Sequence, residues 1–478
     1  MQEINFACNG VERKIDFRML KNLFIDNKIA NSYSHKTMKN KYLHSLLKIA
    51  IPIILGNIIN QIQMLTDRAF LGNVNPLYMS ALGNVNSPIW TTISFCFSIT
   101  VGSSILISQK VGAKQMDECE TYAASLVKWT NVLSLLLFFF WLIFGRMVFV
   151  KMGVDQEVLP MCMDYLRFFL PIFLVIGIEA STMVIMQTSN YTKPLVWFGL
   201  VRSLLNVLLD WIMIFGKFGC PAMGIKGAAI ATTISEYVGV IIAAIIFVCS
   251  KKLFTRPRLA SIIKASVIPF ARSVKLGINT ALEDLLWNCG NLVLIIILNS
   301  ISKEAAGIYS MIFGIELLAV VVIGSFGNAT LTLTGEATGA QDVQKFRGVF
   351  RNALAISWAC SLVMLVCSLI MPQRIISIFT KDQVLITSCG IYLVLACLDL
   401  FSKGGNIIAG NAIRGYGNPC WMLMTQIAGT VFVISVALLF VKVFNWGILG
   451  VFSAVLLDEF VRNIVNTLKV RWIIKNCF

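Results

Sequence analysis

The stretch NVLSLLLFFFWLIFG, residues 131–145, decides the fold class, because its apolar residues follow one another without a break. A second run, VGVIIAAIIFVC at 238–249, has the same character. Strands of a membrane barrel would alternate apolar and polar residues, whereas continuous runs inside segments of about 20 residues predict membrane-crossing helices. The 478 residues are 57% hydrophobic and 13% charged, about half the charge of a soluble domain. The sequence therefore predicts an all-α integral membrane protein whose surroundings are a lipid bilayer.

Apolar segments long enough to cross a bilayer recur along the whole chain. They begin only after a polar and basic stretch at residues 1–45. Twelve transmembrane helices are predicted, at residues 46–72, 84–108, 124–149, 160–187, 195–216, 224–249, 272–300, 306–333, 350–371, 385–412, 419–442 and 446–472.

The basic residues are unevenly distributed between the two sides of these spans. The formal net charge of +16 alone would suit a nucleic-acid partner. With the N-terminus inside, however, most Lys and Arg fall on the cytoplasmic side, seven of them in the loop 250–275. This bias predicts a multi-pass protein of the cell membrane with both termini cytoplasmic and no nucleic-acid partner. Residues 1–45 are predicted to form a cytoplasmic tail, with 13–24 either on the membrane surface or disordered.

The chain repeats itself. VGAKQ at 111–115 aligns with TGAQD at 338–342, and Tyr165 aligns with Tyr392, at one offset of 227 residues. MGIKGAAIATTISEY at 223–237 aligns with WGILGVFSAVLLDEF at 446–460 at a slightly shorter offset. The repeat divides the chain into two parts of six helices.

The two parts are an N-lobe, residues 46–249, and a C-lobe, residues 272–478, joined by a basic cytoplasmic loop, 250–271. Because six is even, both lobes have the same orientation, and their pseudo-twofold axis should run along the membrane normal. Transporters built this way bind substrate between the halves and rock them alternately. A channel is the alternative from another functional class, although no pore-filter motif is present. We expect a monomer.

Three polar residues break the symmetry of the repeat. Asp67 aligns with Leu294, and Asn206 and Asp210 fall opposite an apolar segment at 431–435. A charged group at mid-bilayer costs about 2.5–3.5 kcal/mol on insertion scales, so it needs a partner, water or a function. Residues found in one half only are the better candidates for function, because residues that both halves share would serve the scaffold.

These residues are predicted to form one cluster with Thr232. Asn206 and Asp210 are four residues apart and share one helix face. At 1.5 Å per residue, Asp67, Asp210 and Thr232 lie roughly 9–12 Å inside the outer ends of their spans. An oxygen-rich cluster suits a hard cation, so these four residues are a candidate Na⁺ site.

Two other interpretations of the cluster stay open. Neighbouring carboxylates at low dielectric repel each other, so the same cluster would also hold a proton. Alternatively, these groups only tie helices together by hydrogen bonds. Arg68, which follows Asp67, is the rival partner for that carboxylate. Apart from Na⁺ or H⁺ as the coupling ion, no cofactor is predicted.

The second half has acids of its own. Glu283, Asp284 and Glu316 have no nearby base in the sequence and are candidates, together with Asp399, for lining a cavity for a cationic substrate. Asp399 with Lys403 also has i,i+4 spacing, as does Asp458, next to Glu459, with Arg462, so structural ion pairs are expected in both places. No P-loop, dinucleotide-binding or nucleophile motif occurs, which predicts that the protein is not an enzyme.

RSLLNVLLDWIMIFGKFGCPAMGIKGAAIATTIS, residues 202–235, resembles the span five–six signature of the multidrug and toxic compound extrusion (MATE) family. Pro52, Asp67 and the two loops that contain Gly-Ala, at 111–115 and 338–342, fit the same family. The resemblance covers residues 46–472. It implies two six-helix lobes around a cleft and antiport of amphipathic organic cations against Na⁺ or H⁺. Asp67, Asn206, Asp210 and Thr232 match the N-lobe coupling cluster of some branches.

The resemblance has two departures, both on span seven, where Asn279 also takes the place of the usual proline, and it leaves one alternative function. The span-seven glutamate of other branches matches Trp287 here, which places no coupling carboxylate in the C-lobe. The alternative function is a lipid-linked oligosaccharide flippase of the same superfamily. Acids outnumber bases within the predicted spans, which disfavours an anionic pyrophosphate substrate.

Overall fold

The structure is a computed structural model that describes residues 17–302, 304–378 and 383–478, without the side chains of 17–40, 76 and 384. All regular elements of these residues are helices. Residues 1–16 of the predicted cytoplasmic tail lie outside the described residues. The first helix begins at Phe17, within the stretch predicted as a tail.

The N-lobe consists of six helical segments joined by short connections, and the fourth segment is broken into two helices by a 3₁₀ turn. They are α1 (Phe17–Val74), α2 (Pro76–Gly112), α3 (Met116–Lys151), α4 (Leu159–Phe169) continued by a 3₁₀ turn (Leu170–Leu174) and α5 (Ile176–Thr188), α6 (Lys193–Phe215) and α7 (Ile225–Cys249).

The C-lobe repeats this order after a short helix in the inter-lobe loop. The helices are α8 (Leu259–Lys264), α9 (Val267–Asn299), α10 (Ala305–Gly339), α11 (Val343–Ile370), α12 (Pro372–Ser377), α13 (Gln383–Ser388), α14 (Gly390–Tyr416), α15 (Pro419–Lys442) and α16 (Gly447–Asn476).

The twelve predicted spans correspond to these long helices. Within the described residues, ten helices are long and apolar enough to cross a membrane, and the pair α4–α5 makes an eleventh. The twelfth, α16, has the length but carries charged residues, including Asp458, Glu459 and Arg462, that lower its hydropathy. The α4–α5 pair bends by 46° beside Pro171, where proline cannot donate a helical hydrogen bond. Predicted span ten is shorter than expected at its start, because α13 and α14 are separate helices.

The apolar stretch 131–145 on α3 exposes large hydrophobic side chains that a membrane would cover. On α3, Trp141 is 2% exposed and packs in the N-lobe core, whereas Leu136 and Ile143 on other faces are 60% and 66% exposed. When so many large apolar side chains lie on the protein surface, that surface contacts lipid rather than water. The C-lobe has a matching core around Ile312, and a further core around Phe346 joins both lobes.

Helix packing follows the pseudo-twofold axis. In the N-lobe α6 packs against α1 and α7, and in the C-lobe α15 packs against α9 and α16. The lobes meet through α2 with α9 and through α1 with α10, which are equivalent pairs, and through α2 with α10. The repeat in the sequence is therefore a repeat in space.

Glycines allow the lobes to approach at the end predicted to be cytoplasmic. Gly112 ends α2 and Gly339 ends α10, and the two occupy equivalent positions of the repeat. A methyl group on Gly112 would overlap the backbone of Glu336, and one on Gly339 would overlap the backbone of Gln109. Only glycine permits this backbone contact.

Hydrogen bonds across the lobe interface also come in equivalent pairs. Near the middle of the helices, Ser98 Oγ donates to Asp284 Oδ2 at 2.5 Å, and Asn57 Nδ2 donates to Ser325 Oγ at 3.2 Å. Asp284 and Asn57 occupy equivalent positions, as do Ser98 and Ser325. At these equivalent positions, the acid Asp284 therefore accepts a hydrogen bond, whereas the amide of Asn57 donates one.

The same acid–amide difference recurs at the predicted cytoplasmic end. Gln109 Nε2 donates to the backbone oxygen of Gly415 at 3.0 Å. Its counterpart Glu336 accepts from Asn190 Nδ2 at 2.6 Å and from Lys345 Nζ at 2.7 Å.

Candidate cation site

Three helices of the N-lobe bring the four predicted site residues together. Asp67 lies on α1, Asn206 and Asp210 on α6, and Thr232 on α7. Asn206 and Asp210 are fully buried, and Asn206 Nδ2 donates to Thr232 Oγ1 at 3.4 Å. The carboxyl groups of Asp67 and Asp210 lie within hydrogen-bonding range of each other. The sequence prediction that these residues share one level is consistent with this geometry.

The packing of α6 explains why these side chains converge. Asn206 and Asp210 are one turn apart, so both lie on the face of α6 that packs against α1 and α7. Thr232 is held in place because its hydroxyl donates to the backbone oxygen of Ala228 at 2.8 Å, one turn earlier on α7.

Several oxygens of the site are buried without a hydrogen-bond donor. They are Asp67 Oδ1, Asn206 Oδ1 and both carboxylate oxygens of Asp210. Buried oxygens without partners are costly and uncommon in folded proteins. A set of carboxylate, amide and hydroxyl oxygens matches what a hard cation prefers, and a proton shared between the carboxyl groups would also satisfy two of them.

Tyr165 is a member of the site that sequence reasoning assigned to the scaffold. Its side chain is buried, its hydroxyl lies beside the Thr232 hydroxyl, and it faces both Asp67 and Asp210. Because Tyr165 aligns with Tyr392, it looked like a residue that both halves share. Its burial next to charged residues exists in the N-lobe only.

The site opens into a cavity of about 270 Å³ within the N-lobe. Asp67, Tyr165 and Thr232 line this cavity, hereafter the N-lobe cavity. Arg68 lines it as well and acts on the Asp67 carboxylate through space rather than through a hydrogen bond. The predicted rival partner is therefore near Asp67 but is not bonded to it.

A second charged cluster lines the same cavity. Arg202 Nη1 donates to Glu179 Oε1 at 3.0 Å and to Glu236 Oε1 at 3.1 Å, and Arg202 Nη2 donates to Asn60 Oδ1 at 3.3 Å. Glu179 and Arg202 were not singled out in the sequence, because their partners lie on other helices. The only signal was the presence of charged residues inside predicted spans.

Apolar side chains stand at the C-lobe positions equivalent to the candidate site. Leu294, the counterpart of Asp67, and Val433, in the segment 431–435 opposite Asp210, are both buried in the C-lobe core. Val455, at the position equivalent to Thr232, packs against the same core. The polar residues that the N-lobe has at these positions are therefore replaced by apolar core residues in the C-lobe.

Two acids of the C-lobe that have no nearby base in the sequence are paired with bases from a distant helix. Glu283 accepts from Arg414 Nη2 at 2.7 Å, and Glu316 accepts from Lys403 Nζ. Both bases arrive from α14, 131 and 87 residues along the chain, so local spacing gave no hint of them. Asp284 accepts from Ser98 instead.

The expected ion pairs within helices are confirmed. Lys403 Nζ lies 2.9 Å from Asp399 Oδ2, and Arg462 Nη2 lies 2.8 Å from both Asp458 Oδ2 and Glu459 Oε1. The cavity lined by Glu316, Asp399 and Lys403 measures about 10 Å³. That volume holds about one water molecule, so an organic cation does not fit there.

Comparisons with known proteins agree with this architecture. The MatE family model matches residues 52–212 and 280–467. A probable multidrug resistance protein NorM of Thermotoga maritima is 26% identical over 429 residues, covering 88% of this chain and 91% of that protein. The uncharacterized transporter YisQ of Bacillus subtilis is 22% identical over 414 residues, covering 83% of this chain and 89% of that protein.

Solved structures show the same fold. An outward-facing multidrug resistance MATE family transporter of the MOP superfamily superimposes with a TM-score of 0.82 at 21% identity, covering 91% of this chain and 96% of that one. A MATE protein in the straight conformation gives the same TM-score and identity. Since the family model covers most of the chain, the protein belongs to the MATE family of multi-pass membrane transporters, whose members are transporters and not enzymes.

Proposed function

We propose that this protein is a secondary active exporter of small organic cations, driven by a Na⁺ or H⁺ gradient through alternating access. The observation that carries the proposal is the contact between the Asp67 and Asp210 carboxyl groups, buried in the N-lobe without a bonded base. The names of the relatives support export of drugs. We place the protein in the cell membrane as a monomer with both termini cytoplasmic.

Coupling follows from the helices that supply the site. Two carboxylates that face each other repel unless a cation or a proton lies between them. Binding of the coupling ion draws α1, which carries Asp67, towards α6, which carries Asp210. Because α1 also lines the N-lobe cavity, the ion-loaded and ion-free forms present differently shaped cavities to a substrate. A ligand that favours one form therefore competes with the ion.

Both Na⁺ and H⁺ fit the chemistry of the site. Asn206 and Thr232 add neutral oxygens to the two carboxylates, which suits Na⁺. The facing carboxyl groups suit a shared proton. Efflux of a fluorescent organic cation from proteoliposomes, with Na⁺ and pH gradients imposed separately, would discriminate between the two ions.

Asp67→Asn and Asp210→Asn should each reduce gradient-driven efflux by at least about 10-fold, the loss expected from removing one charged ligand worth about 1.4 kcal/mol or more. Asp458→Asn is the matched control, because Arg462 keeps Glu459 as its partner. Full gradient-driven efflux by well-expressed Asp67→Asn and Asp210→Asn variants would overturn the proposal. Binding of a lipid-linked oligosaccharide in preference to organic cations would replace the exporter with a flippase.

A further inference from the structure

The cluster of Glu179, Arg202 and Glu236 holds more negative charge than its base can neutralise. Both carboxylates contact the same guanidinium, at 3.0 and 3.1 Å. The side chains of Glu179, Arg202 and Glu236 are 17%, 13% and 15% exposed, and all three line the N-lobe cavity. Two carboxyl groups share one base beside this cavity, so full ionisation of the cluster leaves a net charge of −1 for a cation to neutralise.

The repeat identifies which acid is additional. Glu236 has a counterpart in Glu459, whereas Glu179 has its counterpart in Asn406, which donates to Glu459 Oε2 at 3.0 Å. The C-lobe therefore joins an acid to an amide at the place where the N-lobe joins two acids. A buried charge without a partner is costly, and one carboxylate already suffices for Arg202. The second carboxylate is available to a cationic group from the cavity.

The two acidic clusters stand at a fixed separation in one cavity. Arg202 and Asp210 are eight residues apart on α6, which corresponds to about 12 Å along the helix. On α1, Asn60 and Asp67 are about 10 Å apart by the same measure. The cavity is also lined by the apolar side chains of Phe169 and Ile172, which fall between Tyr165 and Glu179 along the α4–α5 segment. The N-lobe cavity thus has acids at two levels and apolar side chains between them.

We propose that the N-lobe cavity binds linear dications with an apolar middle, such as long α,ω-diamines. One ammonium group contacts Asp67, in competition with the coupling ion. The other contacts Glu179 and Glu236 beside Arg202. This inference rests on the proposed export of organic cations and narrows the substrate class.

The C-lobe shows that charge alone does not make such a site. Its cluster of Lys403, Asp458, Glu459 and Arg462 also carries acids, but the cavity beside these residues measures about 40 Å³. An organic ammonium group with its chain needs more room than a few water molecules. In the N-lobe, by contrast, two acids share one base beside a cavity of about 270 Å³.

The test is inhibition of the efflux of a fluorescent monocation from proteoliposomes that contain the full chain. Octane-1,8-diamine is compared with octylamine, which has the same chain and one charge, and with propane-1,3-diamine, which has both charges but too short a chain. We expect octane-1,8-diamine to inhibit at least about 10-fold more strongly than either, the ratio that a second ammonium–carboxylate contact worth about 1.4 kcal/mol gives.

Variants of Glu179 and Glu236 test whether their cluster with Arg202 causes the stronger inhibition by octane-1,8-diamine. Glu179→Gln and Glu236→Gln each leave Arg202 one carboxylate partner, so the fold should persist. Each should lower the advantage of the diamine over octylamine to less than about 2-fold, because the surplus charge is removed. The control Asp458→Asn should keep the advantage.

The possible outcomes separate the two proposals. Equal inhibition by octylamine and octane-1,8-diamine, with efflux intact, would overturn the dication proposal alone. Loss of the gradient-driven efflux of the monocation in Glu179→Gln would also overturn it, because the cluster would then act in coupling. Absence of cation efflux from the wild-type protein would instead overturn the proposed function.

Discussion

The two lobes share one helical scaffold but differ in how their buried acids are neutralised. In the C-lobe, the carboxylates of Glu283, Glu316 and Asp399 each contact a Lys or Arg side chain. In the N-lobe, Asp67 and Asp210 face each other without a bonded base. These C-lobe acids thus have counter-ions supplied by the protein, whereas the Asp67–Asp210 pair has none bonded to it. The proposed coupling to an ion gradient depends on this difference.

The difference arises from single positions on an otherwise repeated framework. Leu294 and Val433 replace the two acids of the cation site, and Asn406 replaces Glu179. The packing of α6 with α1 and α7 is the same as that of α15 with α9 and α16. The difference between the lobes therefore lies in a few side chains at equivalent positions and not in helix packing.

The largest effect on stability is expected from removing a built-in counter-ion of the C-lobe. Lys403 contacts Glu316 and Asp399, and all three are buried. Lys403→Met leaves both carboxylates without their base, and breaking a buried pair in this way costs about 3–5 kcal/mol. We expect a marked fall in the thermal unfolding midpoint of the detergent-solubilised protein, measured by intrinsic fluorescence.

The comparison with the N-lobe supplies the control. Asp210→Asn removes a carboxylate that has no base, so its unfolding midpoint should equal or exceed that of the wild type. A triple variant, Glu316→Gln with Asp399→Asn and Lys403→Met, should recover much of the loss because none of the three groups then carries an unpaired charge. A Lys403→Met protein as stable as the wild type would show that the C-lobe does not depend on its own counter-ion.

A smaller and symmetric effect is expected at the contact between the lobes. Gly112→Ala and Gly339→Ala each place a methyl group against the backbone of the opposite lobe, and overpacking of this kind costs about 1–3 kcal/mol. Because the two positions are equivalent, the unfolding midpoint should fall by similar amounts. Gly83→Ala on α2 and Gly324→Ala on α10 are matched controls, since nothing lies within 4 Å of the added group. Unequal losses at Gly112 and Gly339 would argue against a symmetric interface.

The sequence predicted those parts of the structure that depend on local pattern or on repetition. Apolar continuity predicted the helices, and alignment of the halves predicted where Asp67 and Asp210 have apolar counterparts. Helical spacing predicted the contact between Lys403 and Asp399. Each of these requires only neighbouring residues or an internal comparison.

Ion pairs between side chains on distant helices could not be predicted from local pattern or repetition. Glu283 and Arg414 are 131 residues apart, and their contact depends on α10, which packs against both α9 and α14. The cluster of Glu179 with Arg202 likewise depends on α7, which packs against both α5 and α6. The sequence shows that a charge lies in a span, but the base that neutralises it is known only from the fold.

The paired hydrogen bonds at the lobe interface should give one effect comparable to that of the glycine variants and one that is smaller. Ser98→Ala leaves the Asp284 carboxylate without its hydroxyl donor, and a hydrogen bond to a charged group is worth about 1.5–3 kcal/mol. Ser325→Ala removes the acceptor of the Asn57 amide, a neutral bond worth about 0.5–1.5 kcal/mol. The unfolding midpoint should therefore fall further for Ser98→Ala than for Ser325→Ala.

A double-mutant cycle tests whether the acid causes this difference. Asp284→Asn makes the Ser98 bond resemble that of Asn57 with Ser325, so Ser98→Ala in the Asp284→Asn background should cost no more than Ser325→Ala costs in the wild type. If Ser98→Ala costs the same in both backgrounds, the charge on Asp284 does not strengthen the interface. The two hydrogen bonds of this pair would then be equivalent in energy as well as in position.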